Sequence, residues 1–328
     1  MMAGQALKQT VNIGVHYARS VHTAMIALSD ERLRMCARTR SQRSHEVYKT
    51  RLALAGSLCL GPNNLQSGTR KSVMRIAMTE SAETLQARYY EQSVLSYDSM
   101  HNASEDHEHN LALQYIEMIS NAFGLRTFLD VGAGTGRGIC FLRDRGKEVR
   151  GIEPVAAMIE KAELNGVPKG LLLRGSGYEL PFEDEAFDAV FECGVLHHVA
   201  EPGRVVGEMV RVAKRAVFLS DSNRFGQGRQ LARLTKIALY KCGLWRASRY
   251  LQTKGKMYTI SDGDGLAYSY SVFDSYDQLA TRMQRIWLLP TGAEPLNRRS
   301  WVHPLLTSTH VLLCAFKDTP GRSKPSTH

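Results

Sequence analysis

The residues best placed to do chemistry fall in three short runs. The first is Asp130-Val131-Gly132-Ala133-Gly134-Thr135-Gly136, followed by Arg137 and Gly138. Alternating glycines let the backbone turn tightly and approach a ligand without side-chain collision. A helix starting after such a loop presents its first N–H groups to that ligand. The second is Glu153, which follows the apolar-patterned run Glu148–Ile152. A carboxylate at the end of a strand can accept hydrogen bonds from a ligand. The third is Leu180-Pro181-Phe182, then Phe187-Asp188, then Glu192-Cys193-Gly194-Val195-Leu196-His197-His198. Histidine titrates near neutrality, so His197 and His198 are candidates for a general base. The competing reading is that the pair merely begins a helix. Cys193 reads as a small packing residue rather than a nucleophile.

The glycine spacing argues against one owner of the loop. A nicotinamide dinucleotide site wants G-x-G-x-x-G. Counted from Gly132 the last position is Arg137, and counted from Gly134 it is Ile139. No metal is expected. The six cysteines, at 36, 59, 140, 193, 242 and 314, show no zinc-ligand spacing. Asp262-Gly263-Asp264-Gly265 is too short for a calcium loop. Scattered thiols suit a reducing compartment, hence a cytoplasmic enzyme.

The elements that must position these residues alternate along the chain. Two helices come first, Thr84 to Asp98 and about His107 to Phe123. Strands are expected at Thr127–Val131, Glu148–Ile152, Gly170–Arg174, Phe187–Glu192 and Ala216–Ser220, with helices at Arg137–Arg145, Val155–Asn165 and Pro202–Ala213 between them. Two more strands are read at Arg285–Leu289 and His310–Lys317. Such alternation predicts an α/β fold, a Rossmann-like and mostly parallel sheet with helices on both faces. Ligands then bind beyond the carboxyl ends of the strands.

Taken together, residues 126–220 resemble a class I S-adenosylmethionine-dependent methyltransferase, similar to the ubiquinone/menaquinone-biosynthesis type. The resemblance rests on the acid-x-Gly-x-Gly-x-Gly loop, on Glu153, and on the L-P-F, F-D and L-H-H run. It implies a seven-stranded sheet whose last strand is antiparallel. It implies S-adenosyl-L-methionine as cofactor, held by Asp130, Gly132, Ala133, Gly134, Gly136, Glu153, Pro154, Met158, Ser176, Gly177, Glu192 and Cys193. Pro154 and Met158 would flank the adenine. One departure concerns Gly175-Ser176-Gly177, where the family often has Gly-Asp-Ala and the Asp accepts from the adenine amino group. A serine hydroxyl accepts too, but without the charge.

The acceptor is expected to be a small molecule, anionic or lipid-like, selected by the N-terminal helices and by an insertion of roughly 60 residues, 222–284, after strand five. Alternatives are a dinucleotide-dependent oxidoreductase, an RNA methyltransferase and a non-catalytic cofactor-binding protein. From Arg224 to Lys256 the insertion carries nine basic residues, and no acid lies between Ser222 and Ser261. Leu231, Leu234, Ala238 and Cys242 recur at helical spacing. The ordinary reading is a helical lid with a solvated basic face over an apolar underside packed on the sheet. A membrane-surface or anionic-substrate role competes with it, while no RNA-binding motif accompanies the charge. The run Tyr258 to Phe273 could line an acceptor pocket or form a packed strand.

The net charge of +10 is uneven. Residues 1–77 hold 12 Lys and Arg against 3 acids, leaving 30 and 29 for the remainder. Overall charge is therefore no argument for a stable nucleic-acid partner. The basic, serine-rich, acid-poor segment 1–77 is read as a disordered extension, either transit-like and organellar or artefactual, with the enzyme occupying 78–328. No stretch approaches the roughly 18 apolar residues of a membrane span.

Overall fold

The computed structural model describes residues 82–100, 107–261, 265–292 and 308–317. The expectations for segment 1–77 and for Asp262 and Asp264 lie outside the described residues. Helices α1 (Ala82–Met100) and α2 (His107–Phe123) lead into β1 (Thr127–Val131), α3 (Arg137–Arg143), β2 (Glu148–Glu153), α4 (Ala156–Leu164), β3 (Leu172–Arg174) and β4 (Phe187–Cys193). Then come α5 (Pro202–Val212), β5 (Ala213–Ser222), α6 (Gln230–Lys241), α7 (Trp245–Gln252), β6 (Tyr258–Ser261), β7 (Gly265–Tyr268), α8 (Tyr276–Arg282), β8 (Arg285–Pro290) and β9 (His310–Phe316).

Seven strands form one sheet in the order β3-β2-β1-β4-β5-β9-β8. The pairs among β1 to β5 are parallel, whereas β9 runs antiparallel to both β5 and β8. This is the predicted Rossmann-like, mostly parallel sheet with one antiparallel strand. The central strands are apolar on both faces because both faces are covered. Along β5, Val217 and Leu219 join the core under α5 and α8, while Ala216 and Phe218 join the core under α2, α3 and α4. The strand order reverses between β1 and β4, so the crevice that can hold a ligand opens at their carboxyl ends.

Part of the family-like run serves the fold. The Asp188 carboxylate accepts the N–H groups of Arg126 and Thr127 at 2.8 and 3.2 Å, and Thr127 Oγ1 accepts the Asp188 N–H. That clamp fixes the start of β1 against β4. Leu180 and Phe182 are held through their carbonyls by Arg211 of α5, which also pairs with Asp184 and Glu208. Phe182 then packs edge-on against Phe187 at 4.9 Å.

Strand five is longer than its expected span and ends at Ser222, paired with His310. The segment after it departs from the ordinary reading. Leu231, Leu234, Ala238 and Cys242, the apolar side of α6, are exposed rather than packed on the sheet. The side turned inward carries Arg233 and Lys236. Arg233 donates to the Gly228 carbonyl, and Lys236 donates to the carbonyls of Arg224 and Gln227. Cations find acceptor carbonyls in the 224–228 loop, and the leucines are left outside.

Candidate active site

The loop from β1 to α3 turns through three glycines with positive φ, Gly132, Gly134 and Gly136. Their surroundings differ. A Cβ on Gly132 would stand 2.6 Å from Val195 Cγ2, and one on Gly136 would stand 2.4 Å from Val167 Cγ2. A Cβ on Gly134 would meet no atom of the described residues within 4 Å. Two glycines thus exist for close packing within the protein, and the middle one faces open space. Gly132 and Ala133 both donate to the Ile152 carbonyl, tying the loop to β2.

Glu153 closes this loop from the end of β2. Its Oε2 accepts the Gly134 N–H at 2.9 Å and its Oε1 accepts the Val155 N–H at 3.0 Å. Burial pushes its carboxyl up to about 7, against the opposing pull of those two N–H groups. Each oxygen retains a second lone pair, the acceptor capacity a ribose diol needs. Asp130 is buried under the first turn of α3, where a Cβ on Gly138 would stand 2.5 Å from its Oδ2. Burial raises its carboxyl to about 8, partly offset by the charge of Arg137. Ala133 is buried in the loop, Pro154 is exposed beside Glu153, and Met158 is packed inside. Ser176 Oγ accepts the Tyr178 N–H at 3.2 Å in a turn of its own, and Gly177 lies against Val205 and Val131. An open space at Gly134, an acid with spare lone pairs and the adjacent Pro154 and Ser176 suit an adenosyl group.

Across the crevice, β4 ends in Glu192 and the half-buried Cys193, and one 3₁₀ turn, Leu196–His198, follows. Glu192 is fully buried; its Oε2 accepts the Val195 N–H at 2.9 Å while its Oε1 has no partner among the described residues. Asp221, fully buried at the end of β5, holds His197 twice. Its Oδ2 accepts the His197 N–H at 3.1 Å, and its Oδ1 lies 2.9 Å from His197 Nδ1. These two acids share one low-dielectric site and take opposite states. Burial first and the Asp221 charge second drive Glu192 well above the usual carboxylate range. Burial also penalises the Asp221 carboxylate, but the charge and hydrogen bond of His197, the Ser222 N–H and the charge of His109 outweigh it and hold Asp221 low. The environment thus favours the protonated form at Glu192 and the charged form at Asp221.

His198 is positioned by distant parts of the chain. Its Nδ1 lies 2.7 Å from the Leu266 carbonyl of β7 and 3.1 Å from Gln86 Nε2. Gln86 of α1 accepts the Leu266 N–H and approaches the same imidazole, and Tyr90 packs edge-on against it. The helix before the sheet and the hairpin after it thus meet at the histidine turn. His109 of α2 completes the cluster, 3.3 Å from the Ser220 hydroxyl.

The sequence-read residues lie at or just beyond the carboxyl ends of β1 to β4, except that Met158 is packed inside α4. Val195, two residues before His197, touches Gly132 and marks how close the two sides are. Sequence reasoning missed Asp221, His109 and Gln86. Asp221 carried a usable signal, because it ends strand five as Glu153 ends strand two. Among the described residues no group of side chains suits a metal ion.

Comparison with known proteins finds likenesses of sequence and of fold. The methyltransferase of Synechocystis PCC 6803 that acts on magnesium protoporphyrin IX, solved with bound S-adenosylhomocysteine, is 16% identical, with 73% of this chain and 100% of that one covered at a TM-score of 0.48. An uncharacterized methyltransferase of Mycobacterium leprae is 31% identical over 156 residues, 44% of this chain and 58% of the relative. Another, of Mycobacterium sp. strain KMS, is 30% identical over 161 residues, 45% and 62%. The match thus spans about three fifths of these relatives. Residues 129–219 match the family model for a methyltransferase domain. Residues 129–219 are thus similar to a methyltransferase domain in both the family model and these relatives.

Proposed function

We propose that the protein transfers the methyl group of S-adenosylmethionine to a small-molecule acceptor, anionic or lipid-like, and that His197 takes the proton the acceptor loses. The observation that carries this reading is the pairing of half-buried His197 with fully buried Asp221, in the turn whose Val195 packs against Gly132 of the glycine loop. The cofactor supplies an electrophilic methyl on a sulfonium, so the protein's task is to orient and deprotonate the attacking atom. Gly134 leaves room for the cofactor and Glu153 offers its lone pairs to the ribose. Asp221 accepts from His197 Nδ1, fixing the tautomer in which Nε2 is the basic nitrogen. Its charge then stabilises the imidazolium formed when the acceptor is deprotonated. Burial disfavours a second negative charge at Glu192, next to the pair. The anionic or lipid-like class is supported by the basic residues between β5 and β6, next to a hairpin that reaches the histidine turn through Leu266.

The test is incubation with methyl-labelled cofactor and a fractionated cell extract. Label is expected in a small-molecule or lipid fraction. Label confined to RNA, with strongly salt-dependent binding, would overturn the acceptor class. His197→Ala and Asp221→Asn should each lower kcat by about 10²-fold or more, the usual weight of a positioned base. Affinity for S-adenosylhomocysteine should stay within about twofold, since neither residue is assigned to it. An unchanged kcat in His197→Ala would remove the base from the mechanism.

A further inference from the structure

Helices α6 and α7 half-bury Ile237, Leu239 and Trp245 on one side and leave other large apolar residues in solvent. Of the eleven large hydrophobic residues that stand exposed among the described residues, seven lie between Leu231 and Ile260. That concentration separates this segment from the scattered exposed apolar residues of an ordinary surface. Leu231 is 78% exposed and Leu234 62%, one turn apart on α6. On α7, Leu251 is 76% exposed and Tyr250 lies next to it. Neither helix has a buried residue.

The charges carried by the segment itself are all of one sign. Arg229, Lys241, Arg246, Lys254 and Lys256 are exposed, and no acid occurs between Ser222 and Ser261. The segment is nevertheless anchored firmly. Arg224 is buried, paired with Asp274, and its guanidinium lies 4.9 Å from the Trp245 ring centre. The inner cations of α6 are satisfied by backbone carbonyls, so the outward leucines are a fixed feature of the helix.

We propose that this helical hairpin docks the enzyme on an anionic lipid surface, with Leu231, Leu234 and Leu251 entering the headgroup–acyl boundary and the exposed cations meeting lipid phosphates. Aliphatic side chains flanked by lysine and arginine fit that boundary, where both parts gain. Two other occupants fit less well. A second copy placed face to face would oppose like charges. A nucleic acid would use the cations and leave the leucines in water. Docking of this kind is independent of the chemistry of the methyl acceptor.

The experiment is flotation of the full chain with vesicles of phosphatidylcholine alone and of phosphatidylcholine with about one third phosphatidylglycerol. Binding is expected to the anionic vesicles and to fall with salt. Leu231→Ser with Leu251→Ser should cut partitioning about tenfold or more, because insertion depends on apolar area. Arg246→Gln with Lys256→Gln should weaken it by a similar factor, since each cation near the surface contributes. The thermal midpoint should not move in either pair. Binding that survives both pairs would overturn the assignment, because another basic part of the chain would be responsible. So would equal binding to neutral vesicles, RNA binding insensitive to the leucine pair, or a dimer that the leucine pair dissociates.

Discussion

The glycine loop after β1 and the helical hairpin after β5 both extend from a parallel strand of the same sheet, yet they treat their surroundings in opposite ways. In the loop every close approach is internal except at Gly134, and Glu153 beneath it is buried and bonded to backbone N–H groups. In the hairpin Leu231, Leu234 and Leu251 face outward while Lys236 bonds inward. The first region is finished by a small ligand that enters a crevice. The second has the surface of a part that is finished by something much larger.

The sharpest way to break this contrast is at the glycines. Gly134→Val should lose at least about 100-fold in affinity for S-adenosylhomocysteine, equivalent to about 3 kcal/mol. Its side chain would project into space the described residues do not fill. The positive φ of 53° adds a strain of about 1–2 kcal/mol, so the chain should still fold. Gly132→Val should instead damage folding, because the new side chain would collide with Val195. Calorimetric titration and thermal unfolding separate the two. Unchanged affinity in Gly134→Val would end the assignment of the crevice.

A smaller effect is expected at Glu153. Glu153→Ala should weaken cofactor binding by about 1–3 kcal/mol, the range for leaving hydrogen-bonded polar groups unpaired. The pH dependence follows from its state. Its folded value of about 7 lies above the ordinary 4.5. Between those values the folded chain keeps a proton that the unfolded chain has lost. The contribution of this group to stability is therefore greatest below pH 4.5 and falls as pH rises through 7. Cofactor binding has the opposite slope, because donated hydroxyl hydrogens favour the carboxylate. Affinity should rise up to about tenfold per pH unit below 7 and level off above it. Glu153→Gln should flatten that profile. A slope that persists in Glu153→Gln would place the titration elsewhere, with Asp130 the next group to examine.

The same contrast separates what the sequence makes legible from what it hides. The central strands are legible because a strand covered on both faces is an apolar run, as Val217 to Leu219 shows and as Phe128, Leu129 and Val131 show around Asp130. Glu153 is legible because its place at the end of β2 is set by local sequence. Asp221 obeys the same rule on β5 and can be found by it. Gln86 and His109 cannot, since each reaches the site from a helix whose packing is decided by distant partners, Leu266 for one and Ser220 for the other. Asp188 stands in the family-like run, yet its clamp on Arg126 and Thr127 is visible only once β1 and β4 are side by side. The hairpin misleads for a different reason. Helical spacing says that two faces of α6 differ, and the preference for buried leucine says which should point inward. The carbonyls of the 224–228 loop claim Arg233 and Lys236 and reverse that choice.

The smallest expected effect lies in that reversed helix. Leu231→Ser should change the unfolding free energy by no more than about 0.5 kcal/mol, the ordinary range for a surface substitution. The side chain is 78% exposed, so its removal opens no cavity and strands no polar group. The ordinary reading of α6 predicts a different number. A leucine packed on the sheet would cost about 2–5 kcal/mol when truncated to a small residue. The two arrangements of the helix are thus separated by at least about 1.5 kcal/mol in a denaturant titration, well outside the error of comparing midpoints at constant slope. Val217→Ala, in the fully buried core of β5, provides the contrast within the same chain. If Leu231→Ser proves as costly as Val217→Ala, α6 packs its leucines inward and the contrast between the two regions fails with it.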